Sequence, residues 1–509
     1  METVFTGDSN GVFNMKKFSI PSAPSFLLII CAFVVILTWL IPAGAYDTIS
    51  YDSEDITFVI HSQDTDKKIQ ATQHTLDSLQ IVIPLEKFIS GSIWKPITIP
   101  NTYQQLESKP QNAIAFLKAP IKGVIAAADI IFLVLILGGL IGVMNYTGAF
   151  DAGISWLGSV LKGKEYLLII LTTTAITIGG TTFGLAEETI AFYPILIPIF
   201  LAAKYDAMVA LASVYIGSSV GTMFSTTNPF STIIASDSAG INWTDGIELR
   251  ILFLLLATII CIAYIIRYGK KVQKSPENSL IFDQKKEIEA QFMKLKPLKL
   301  NLQLRLILIV FTSCFVVMIY GVSNLEWWFV EMTTVFFAGA VLIGFLGQIN
   351  EKIFVSTFIK GASELLGVAF IIGIARGISI VMDDGMISNT ILYHASEFTA
   401  DMHQGLFANL LVFIYGGLSF FIPSSSGMAV LTMPIMAPLA DTVGFGREII
   451  VNCYLYGMGL FAFINPTGLI LASLAIVNVG YDKWLKFVIP LVLYLLVFVI
   501  IITSISVQF

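Results

Sequence analysis

Long apolar runs constrain this chain more than any other feature of its sequence. A helix that crosses a lipid bilayer needs about 20 predominantly apolar residues. Uninterrupted runs of that kind lie at 26–44, 121–145, 247–267, 302–321, 328–347, 362–382 and 486–507. Only 13% of the residues are charged, whereas a soluble chain carries about 25%. The sequence therefore predicts an all-α polytopic membrane protein that has the lipid bilayer as its surroundings.

Several classes of function are disfavoured by what the sequence lacks. It contains no P-loop, dinucleotide-binding fingerprint or HExxH motif, and no basic patch that suits nucleic acid. The cysteines lie in apolar runs without metal-ligand spacing, and the histidines lie outside those runs (Cys31, Cys261, Cys314 and Cys453; His61, His74, His394 and His403). We therefore predict no enzyme, no catalytic residues, no metal centre and no nucleic-acid partner. An intramembrane protease would need a Ser–His dyad or paired aspartates at helix depth.

Lysine and arginine positions predict the orientation, because basic loops stay on the cytoplasmic side. Lys16 and Lys17 place the N-terminus, 1–25, in the cytoplasm, and the basic linker 268–301 falls on the same side. The linker separates a first transmembrane half, 26–267, from a second, 302–509. The segment 45–117 is then an extracytoplasmic insertion, and its runs "ITFVIHS" and "LQIVIPL" predict strands.

Less regular apolar stretches are interrupted by Gly, Pro, Asn or Ser/Thr clusters. Counting crossings between the fixed loops makes 166–203 and 404–440 re-entrant hairpins that enter from opposite sides. The stretches 207–235 and 448–473 then cross once each, as discontinuous helices. This scheme has nine crossings, a cytoplasmic N-terminus and an extracytoplasmic C-terminus.

The two halves repeat each other. Residues 121–145 align without gaps to 359–383 at an offset of 238, with eight identities that include Lys122/Lys360 and Gly123/Gly361. The order of later motifs also matches: "TTFG" with "SSSG", "PILIP" with "PIMAP" and "TNPF" with "INPT". By the predicted topology the copies enter from opposite sides, which makes them inverted-topology repeats, an architecture common in secondary transporters.

Four places in the repeats predict irregular backbone at membrane depth. They are the hairpin tips 179–189 and 421–429 and the helix breaks 221–232 and 459–469. Such backbone is tolerated only when it is buried in protein or lines a wet cavity, and half-helix ends and hydroxyls can bind a charged solute. The candidate substrate-binding residues are Thr181, Thr182, Gly184, Glu187, Glu188, Thr227, Asn228, Ser424, Ser425, Ser426, Gly427, Asn465 and Thr467.

Glu187 and Glu188 are the unusual members of this set, because a carboxylate inside a membrane is expensive. One could hold a cationic substrate group, one could carry a coupling proton, or both could cap the following half-helix. Adjacent helical residues point about 100° apart, so we expect only one of them to face the site. Arg376 could clamp a carboxylate or pair with Asp129 across the repeat; the pairing is the interpretation we favour.

Two amphipathic stretches, 150–164 and 388–399, follow matching repeat helices. We interpret them as interfacial helices that lie along the membrane surface.

The motifs "GTTFGLAEETIAFYPILIPIF", "GSSVGTMFSTTNPFSTIIASDSAGI", "IPSSSGMAVLTMPIMAPLAD" and "YLYGMGLFAFINPTGLILASLA" resemble the YfcC-like family of bacterial inner-membrane proteins. That family is grouped with anaerobic C4-dicarboxylate carriers and, more distantly, with divalent anion/sodium symporters. The resemblance covers nearly the whole chain. It implies an ion-transporter-superfamily fold, a homodimer built on a scaffold, and elevator-type alternating access in the inner membrane.

The resemblance also implies a small-molecule substrate. The sodium–dicarboxylate relatives carry Ser-Asn-Thr motifs at the tips, but the matching positions here read Thr181-Thr182-Phe183 and Ser424-Ser425-Ser426. Some YfcC-like members are described as basic amino acid antiporters of the arginine/ornithine type, and acids at the tip suit a cationic side chain. The leading expectation is therefore basic amino acid exchange. The alternative is a Na⁺- or H⁺-coupled carrier of C4-dicarboxylates or other small carboxylates.

Overall fold

The computed structural model describes residues 22–62, 65–91, 93, 95–160, 163–292, 300–325, 327–399 and 402–508. The predicted cytoplasmic segment before residue 22, with Lys16 and Lys17, and part of the basic linker lie outside the described residues. The protein is mostly helical.

The helices of the first half and of the linker are α1 Ala23–Leu40, α2 Gln73–Ser78, α3 Leu85–Ile89, α4 Ala113–Ala126, α5 Ala128–Thr147, α6 Ala149–Val160, α7 Tyr166–Phe183, α8 Tyr193–Ala202, α9 Ala207–Met223, α10 Ile234–Ser238, α11 Ile247–Lys274 and α12 Lys285–Phe292. Short 3₁₀ segments lie at Glu187–Phe192, Pro276–Asn278 and Phe282–Gln284, and a wide helical turn lies at Pro229–Ile233.

The helices of the second half are α13 Leu302–Asn324, α14 Phe329–Leu346, α15 Glu351–Glu364, α16 Leu366–Gly385, α17 Ser388–Thr399, α18 Gln404–Ser419, α19 Ser425–Val443, α20 Arg447–Ala462, α21 Ile470–Val477 and α22 Tyr481–Ser506.

Eight helices in the described part of the chain are long and apolar enough to cross a membrane. Seven of them, α1, α5, α11, α13, α14, α16 and α22, overlap the seven predicted spans. The eighth, α7, is the first arm of the predicted hairpin at 166–203. The molecule is therefore a multi-pass membrane protein, and the shorter arms α8, α9, α18, α19, α20 and α21 fill the predicted hairpins and discontinuous helices.

Helix boundaries repeat at the same offset of 238 as the sequence. Asn112 caps the start of α4 and Asn350 caps the start of α15, each through Oδ1 bonds at 3.0 Å from backbone N–H groups of the first turn. Left-handed residues end the partner helices: Gly148 ends α5 and Met386 ends α16. The α4–α5 unit therefore has the same length as the α15–α16 unit, residue for residue.

The prediction of one uninterrupted helix through 121–145 is wrong. The chain breaks at Ala127 between α4 and α5, and at the equivalent residue, Leu365, between α15 and α16. α4 leaves α5 to pack along α16, while α15 leaves α16 to pack along α5. Alanine and leucine favour helix, so these breaks come from the exchange of packing partners and not from local propensity.

Glycines allow the exchanged helices to approach each other closely. Gly361 of α15 lies against the backbone of Gly138 and Gly142 in α5, where a Cβ atom would overlap the Gly138 carbonyl oxygen. Its repeat equivalent, Gly123 of α4, lies in the same way against Gly373 and Gly377 of α16. Small residues that let helix backbones touch are typical of membrane helix packing.

We expect Gly361→Ala to destabilise the folded protein by about 1–3 kcal/mol, because the new methyl group pushes α15 away from α5. Gly367→Ala is the matched control, since no atom lies within 4 Å of the position its Cβ would take. The control should change stability by less than about 1 kcal/mol. Thermal unfolding of both purified variants measures the difference; equal melting temperatures would contradict the proposed crowding.

The insertion between α1 and α4 folds around a small sheet. Strands β2 Thr48–Asp52, β3 Thr57–His61, β4 Asp66–Gln70 and β5 Ile97–Thr98 form an antiparallel sheet in the order β4-β3-β2-β5, and β1 Gly44–Ala45 pairs with β6 Gln104–Gln105. The run "ITFVIHS" contains β3, as predicted. The run "LQIVIPL" forms no strand: Ile81 and Ile83 are buried as its alternation suggests, but the run joins no ladder in the described sheets.

The insertion contacts two different parts of the helical body. Towards α17, Tyr103 stacks on Tyr393 with a ring separation of 4.1 Å and donates a hydrogen bond to Thr390. Towards α10, Lys87 Nζ lies 2.7 Å from Oδ1 of the buried Asp237. The strand β5 also packs on α19. The insertion is thus fixed at both ends and covers one side of the helical body.

The amphipathic stretches form the helices α6 and α17. Their position along the membrane surface stays a prediction. All four cysteines are buried, and none forms a disulfide bond.

Candidate functional site

The hairpin tips and the helix breaks meet around one cavity of about 480 Å³. Both tips, both breaks, the beginning of α5, the middle of α16 and one residue of the insertion contribute to its lining. Nine of the predicted site residues lie on its wall: Gly184, Glu187, Glu188, Asn228, Ser424, Ser425, Ser426, Asn465 and Thr467. The structure therefore brings together residues that are up to 283 positions apart in the sequence.

The first tip begins where α7 ends. Gly184 adopts a left-handed conformation with φ of 77°, and an added Cβ atom would lie 2.7 Å from Oδ1 of Asn228. Two requirements thus select glycine here: the backbone angle and the close approach of the break after α9. The hydroxyl of Ser218 in α9 donates to the carbonyl of Leu185, which holds the tip against α9.

We expect Gly184→Ala to destabilise the protein more than Gly163→Ala. Both glycines are left-handed, so alanine strains both by about 1–2 kcal/mol. Only Gly184 has a neighbour within 4 Å of the new methyl group, the Asn228 amide. Thermal unfolding of the two purified variants separates backbone strain from the Asn228 contact, and equal losses would show that the contact contributes nothing.

Equivalent asparagines fasten the two breaks to the two tips. The Asn228 amide donates to the carbonyl of Gly180 at 3.5 Å, and the Asn465 amide donates to the carbonyl of Ser419 at 2.9 Å. Each asparagine also accepts, through Oδ1, from a backbone N–H two residues later. The breaks are therefore held open by side chains that replace the missing helical hydrogen bonds.

The second tip begins α19 with three serines that have different partners. The Ser424 hydroxyl accepts from the N–H of Gly427 at 3.1 Å and caps the helix. The Ser425 hydroxyl donates to the carbonyl of Phe230 at 3.0 Å, which joins this tip to the first break. The Ser426 hydroxyl accepts from Lys95 Nζ at 2.8 Å.

The remaining four predicted residues do not line the cavity. The Thr181 hydroxyl lies 3.2 Å from that of Thr226, while the Thr182 hydroxyl donates to the carbonyl of Ile178 in its own helix. Thr227 donates to the carbonyl of Thr182, and Gly427 supplies only the capped N–H. Their contacts link the tips, breaks and helix ends to one another.

Both glutamates of the first tip line the cavity, so the expectation that only one faces it is wrong. The two residues begin a short 3₁₀ segment, not an α-helix, and this segment follows the left-handed Gly184. One Glu188 oxygen accepts from the N–H of Ala186 at 3.1 Å and caps this segment. Glu188 therefore caps the segment and lines the cavity at once.

The carboxylates and the bases of the cavity come from different elements. Asp129 comes from α5 and Glu187 and Glu188 from the first tip, whereas Lys95 comes from the insertion and Arg376 from α16. The favoured pairing of Arg376 with Asp129 is wrong, because no ion pair joins these two described residues. The helix break at Ala127 places Asp129 in the first turn of α5, close enough to Glu187 to act on its charge.

Lys95, Tyr215 and Tyr454 are among the lining residues that the sequence analysis missed. Lys95 precedes Pro96 in an apolar part of the insertion, and nothing local indicates that it reaches a serine 331 positions away. Tyr215 and Tyr454 lie 239 positions apart on α9 and α20; one donates to the carbonyl of Ala462 and the other to that of Ser425. The repeat offset is the signal that could have identified the tyrosine pair.

Residues 20–508 match the family described as DcuC, C4-dicarboxylate anaerobic carrier. The chain belongs to the DcuC family. The match covers nearly all of the sequence, and it identifies the molecule as a membrane transporter and not an enzyme. The family relationship drawn from the tip and break motifs is confirmed.

Two relatives align along nearly the whole DcuC-family chain. A protein of Haemophilus influenzae (strain ATCC 51907 / DSM 11121 / KW20 / Rd), named only "Uncharacterized protein", is 43% identical over 484 residues, 94% of this chain and 95% of its own. A protein of Escherichia coli (strain K12), named "Putative basic amino acid antiporter YfcC", is 26% identical over 491 residues, 92% of this chain and 93% of its own.

Among solved structures, the YdaH transporter of Alcanivorax borkumensis aligns over 95% of this chain and 98% of its own. The sequence identity is 12% and the TM-score 0.39.

Proposed function

We propose that this DcuC-family transporter exchanges basic amino acids across the bacterial inner membrane. The observation that carries the proposal is the separation of charge in the 480 Å³ cavity. The carboxylates belong to α5 and the first tip, while Lys95 contacts the serine tip and Arg376 belongs to α16. A basic amino acid has a cationic side chain at one end and an α-carboxylate beside an α-ammonium at the other, so each end meets groups that complement its charge.

The charge count supports a cationic substrate. Three carboxylates and two cations line the cavity, so with all five groups ionised it has a net charge of −1. Arginine or ornithine adds +1 and neutralises the cavity, whereas a dicarboxylate adds −2 and leaves a large uncompensated charge. Uncompensated charge in a poorly solvated site is costly.

A second cavity, of about 830 Å³, gives independent support. It is lined by Ser22, where α1 begins, and by linker residues Gln284 and Gln291. α1 runs from there to the insertion over 18 residues, about 27 Å, so this cavity lies on the opposite side from the insertion. Its described lining contains the carboxylates Asp151, Glu364 and Asp482, which favour the approach of a cation.

We infer that transport uses inverted repeats and elevator-type movement. The matching caps, breaks and packing partners at the repeat offset support two equivalent units, and the predicted topology inverts one against the other. The division into halves at 26–267 and 302–509, the insertion 45–117 and the linker 268–301 follow the same inference. A cytoplasmic N-terminus, an extracytoplasmic C-terminus and a homodimer are part of this proposal.

The name of the Escherichia coli relative agrees with the proposed substrate class. Exchange needs no net ion coupling, because a loaded carrier moves in each direction. The experiment is uptake of labelled arginine into proteoliposomes that contain ornithine. We expect uptake to stop when the vesicles are empty and to be suppressed by unlabelled arginine. Uptake that is the same into empty vesicles and in the presence of unlabelled arginine would refute arginine/ornithine exchange.

A second candidate, a Na⁺- or H⁺-coupled carrier of small carboxylates, is favoured by Lys95, Arg376 and the family description. A proton on Glu187 or Glu188 would reduce the negative charge that opposes a dicarboxylate. This carrier predicts succinate uptake that follows an imposed Na⁺ or H⁺ gradient, in the same vesicles. Uptake of succinate that does not respond to either gradient would exclude it.

A further inference from the structure

Lys95 reaches the transport cavity from outside the repeats. It belongs to the insertion, between α3 and β5, and both flanking elements are anchored. On one side Lys87 of α3 contacts the buried Asp237 at 2.7 Å, and on the other the buried strand β5 packs on α19. The position of the half-buried Lys95 is therefore set by the fold of the insertion.

One contact of Lys95 lies at the second tip. Its ammonium donates to the Ser426 hydroxyl at 2.8 Å. Arg376, on α16, lines the same cavity and is exposed to it. Burial lowers the pKa of Lys95, and the neighbouring positive charge of Arg376 lowers it further. Two cations thus repel each other beside a serine-rich helix start, and an anionic group between them would remove that repulsion.

We propose that Lys95 binds the carboxylate of the transported solute, which makes the insertion part of the substrate-recognition site. This inference rests on the proposed function and assigns its α-carboxylate contact. A substrate carboxylate would replace the neutral Ser426 hydroxyl as acceptor of the Lys95 ammonium. It would add an attraction between two full charges, which the uncharged hydroxyl does not supply.

The proposal explains how one cavity distinguishes the two ends of its ligand. The first tip supplies Glu187 and Glu188 for a cation, and the repeats themselves supply a single base, Arg376, for an anion. The insertion adds a second base, Lys95, beside the second tip. The insertion, through Lys95, thereby helps to select solutes that carry a carboxylate.

The test compares arginine with agmatine, which is arginine without its carboxylate, by isothermal calorimetry on the purified full-length protein. Lys95→Gln should weaken arginine binding by about tenfold to a hundredfold, the value of one hydrogen bond to a charged group. Agmatine affinity should stay within about threefold of the wild type. Lys95→Met provides a second neutral variant, and Lys95→Arg should restore most of the arginine affinity.

Lys67→Gln is the matched control, because Lys67 lies on the exposed strand β4 of the same insertion. It should bind both ligands like the wild type. The inference alone is overturned if the wild type and the neutral Lys95 variants bind arginine with equal affinity. It is also overturned if the variants lose as much affinity for agmatine as for arginine.

Succinate separates this inference from the proposed function. If the wild type binds succinate but not arginine, the proposed substrate is wrong, and Lys95→Gln should then weaken succinate binding. If succinate affinity is unchanged in that variant, the carboxylate role falls as well. A wild type that binds none of the three ligands refutes both proposals.

Discussion

Arginine–ornithine exchange by the Glu187→Gln variant should fall about a hundredfold below the wild-type rate. Glu187 lines the cavity at the first tip, and glutamine keeps its shape while removing its charge. Losing one partner of a desolvated charge pair costs about 2–5 kcal/mol. Exchange into ornithine-loaded proteoliposomes measures the loss, and calorimetry with arginine shows whether it arises in binding.

The glutamates of the tip should differ in effect. Glu188 already accepts from the N–H of Ala186, a bond that a glutamine oxygen can keep, so Glu188→Gln should lower exchange less than Glu187→Gln. Glu289→Gln is the control, since Glu289 lies on the linker helix α12, 3.7 Å from Lys285. Normal exchange by both tip variants, with wild-type melting temperatures, would show that neither carboxylate contributes to transport.

Lys87→Met should destabilise the folded protein by about 3 kcal/mol. Its ammonium lies 2.7 Å from Asp237, whose side chain is only 1% exposed, so methionine leaves a buried carboxylate without its counter-ion. Breaking a buried pair in this way costs about 3–5 kcal/mol, and Lys87 is itself 32% exposed, which favours the lower end. Thermal unfolding and proteolysis of the insertion measure the effect.

Two further variants identify the cause. Lys68→Met removes an exposed lysine of the same insertion that pairs with Asp52 and Asp55, and it should lower the melting temperature much less than Lys87→Met does. Lys87→Met combined with Asp237→Asn should recover part of the stability, because no charge is then buried. A double variant as unstable as Lys87→Met alone would argue that the loss comes from the packing of the lysine stem.

Much of this architecture could be predicted because a feature found in one half of the chain can be compared with the matching position of the other half. Each hairpin or break in one half has a counterpart in the other, so Asn228 with Asn465, 237 positions apart, and Gly184 with Gly427, 243 positions apart, could be selected as pairs. The apolar runs located the long helices, since burial in lipid depends on hydropathy alone. The cavity lining therefore contains most of the residues that the motifs indicated.

The features that could not be predicted depend on contacts between distant residues. Ala127 and Leu365 interrupt helices although both are good helix formers, because α4 and α15 exchange packing partners. The short 3₁₀ segment that begins with Glu187 and Glu188 follows the left-handed Gly184, and both glutamates line the cavity. Lys95 reaches Ser426 only once the insertion has folded over the helices.

The double attachment of the insertion has a mechanical consequence. It contacts α17 through the stack of Tyr103 on Tyr393. It contacts α10 through Lys87 and packs on α19 through β5. If the helices that carry the tips move relative to α17, one of these contacts must break or the sheet must bend. The insertion would then limit how far those helices can move in each transport cycle.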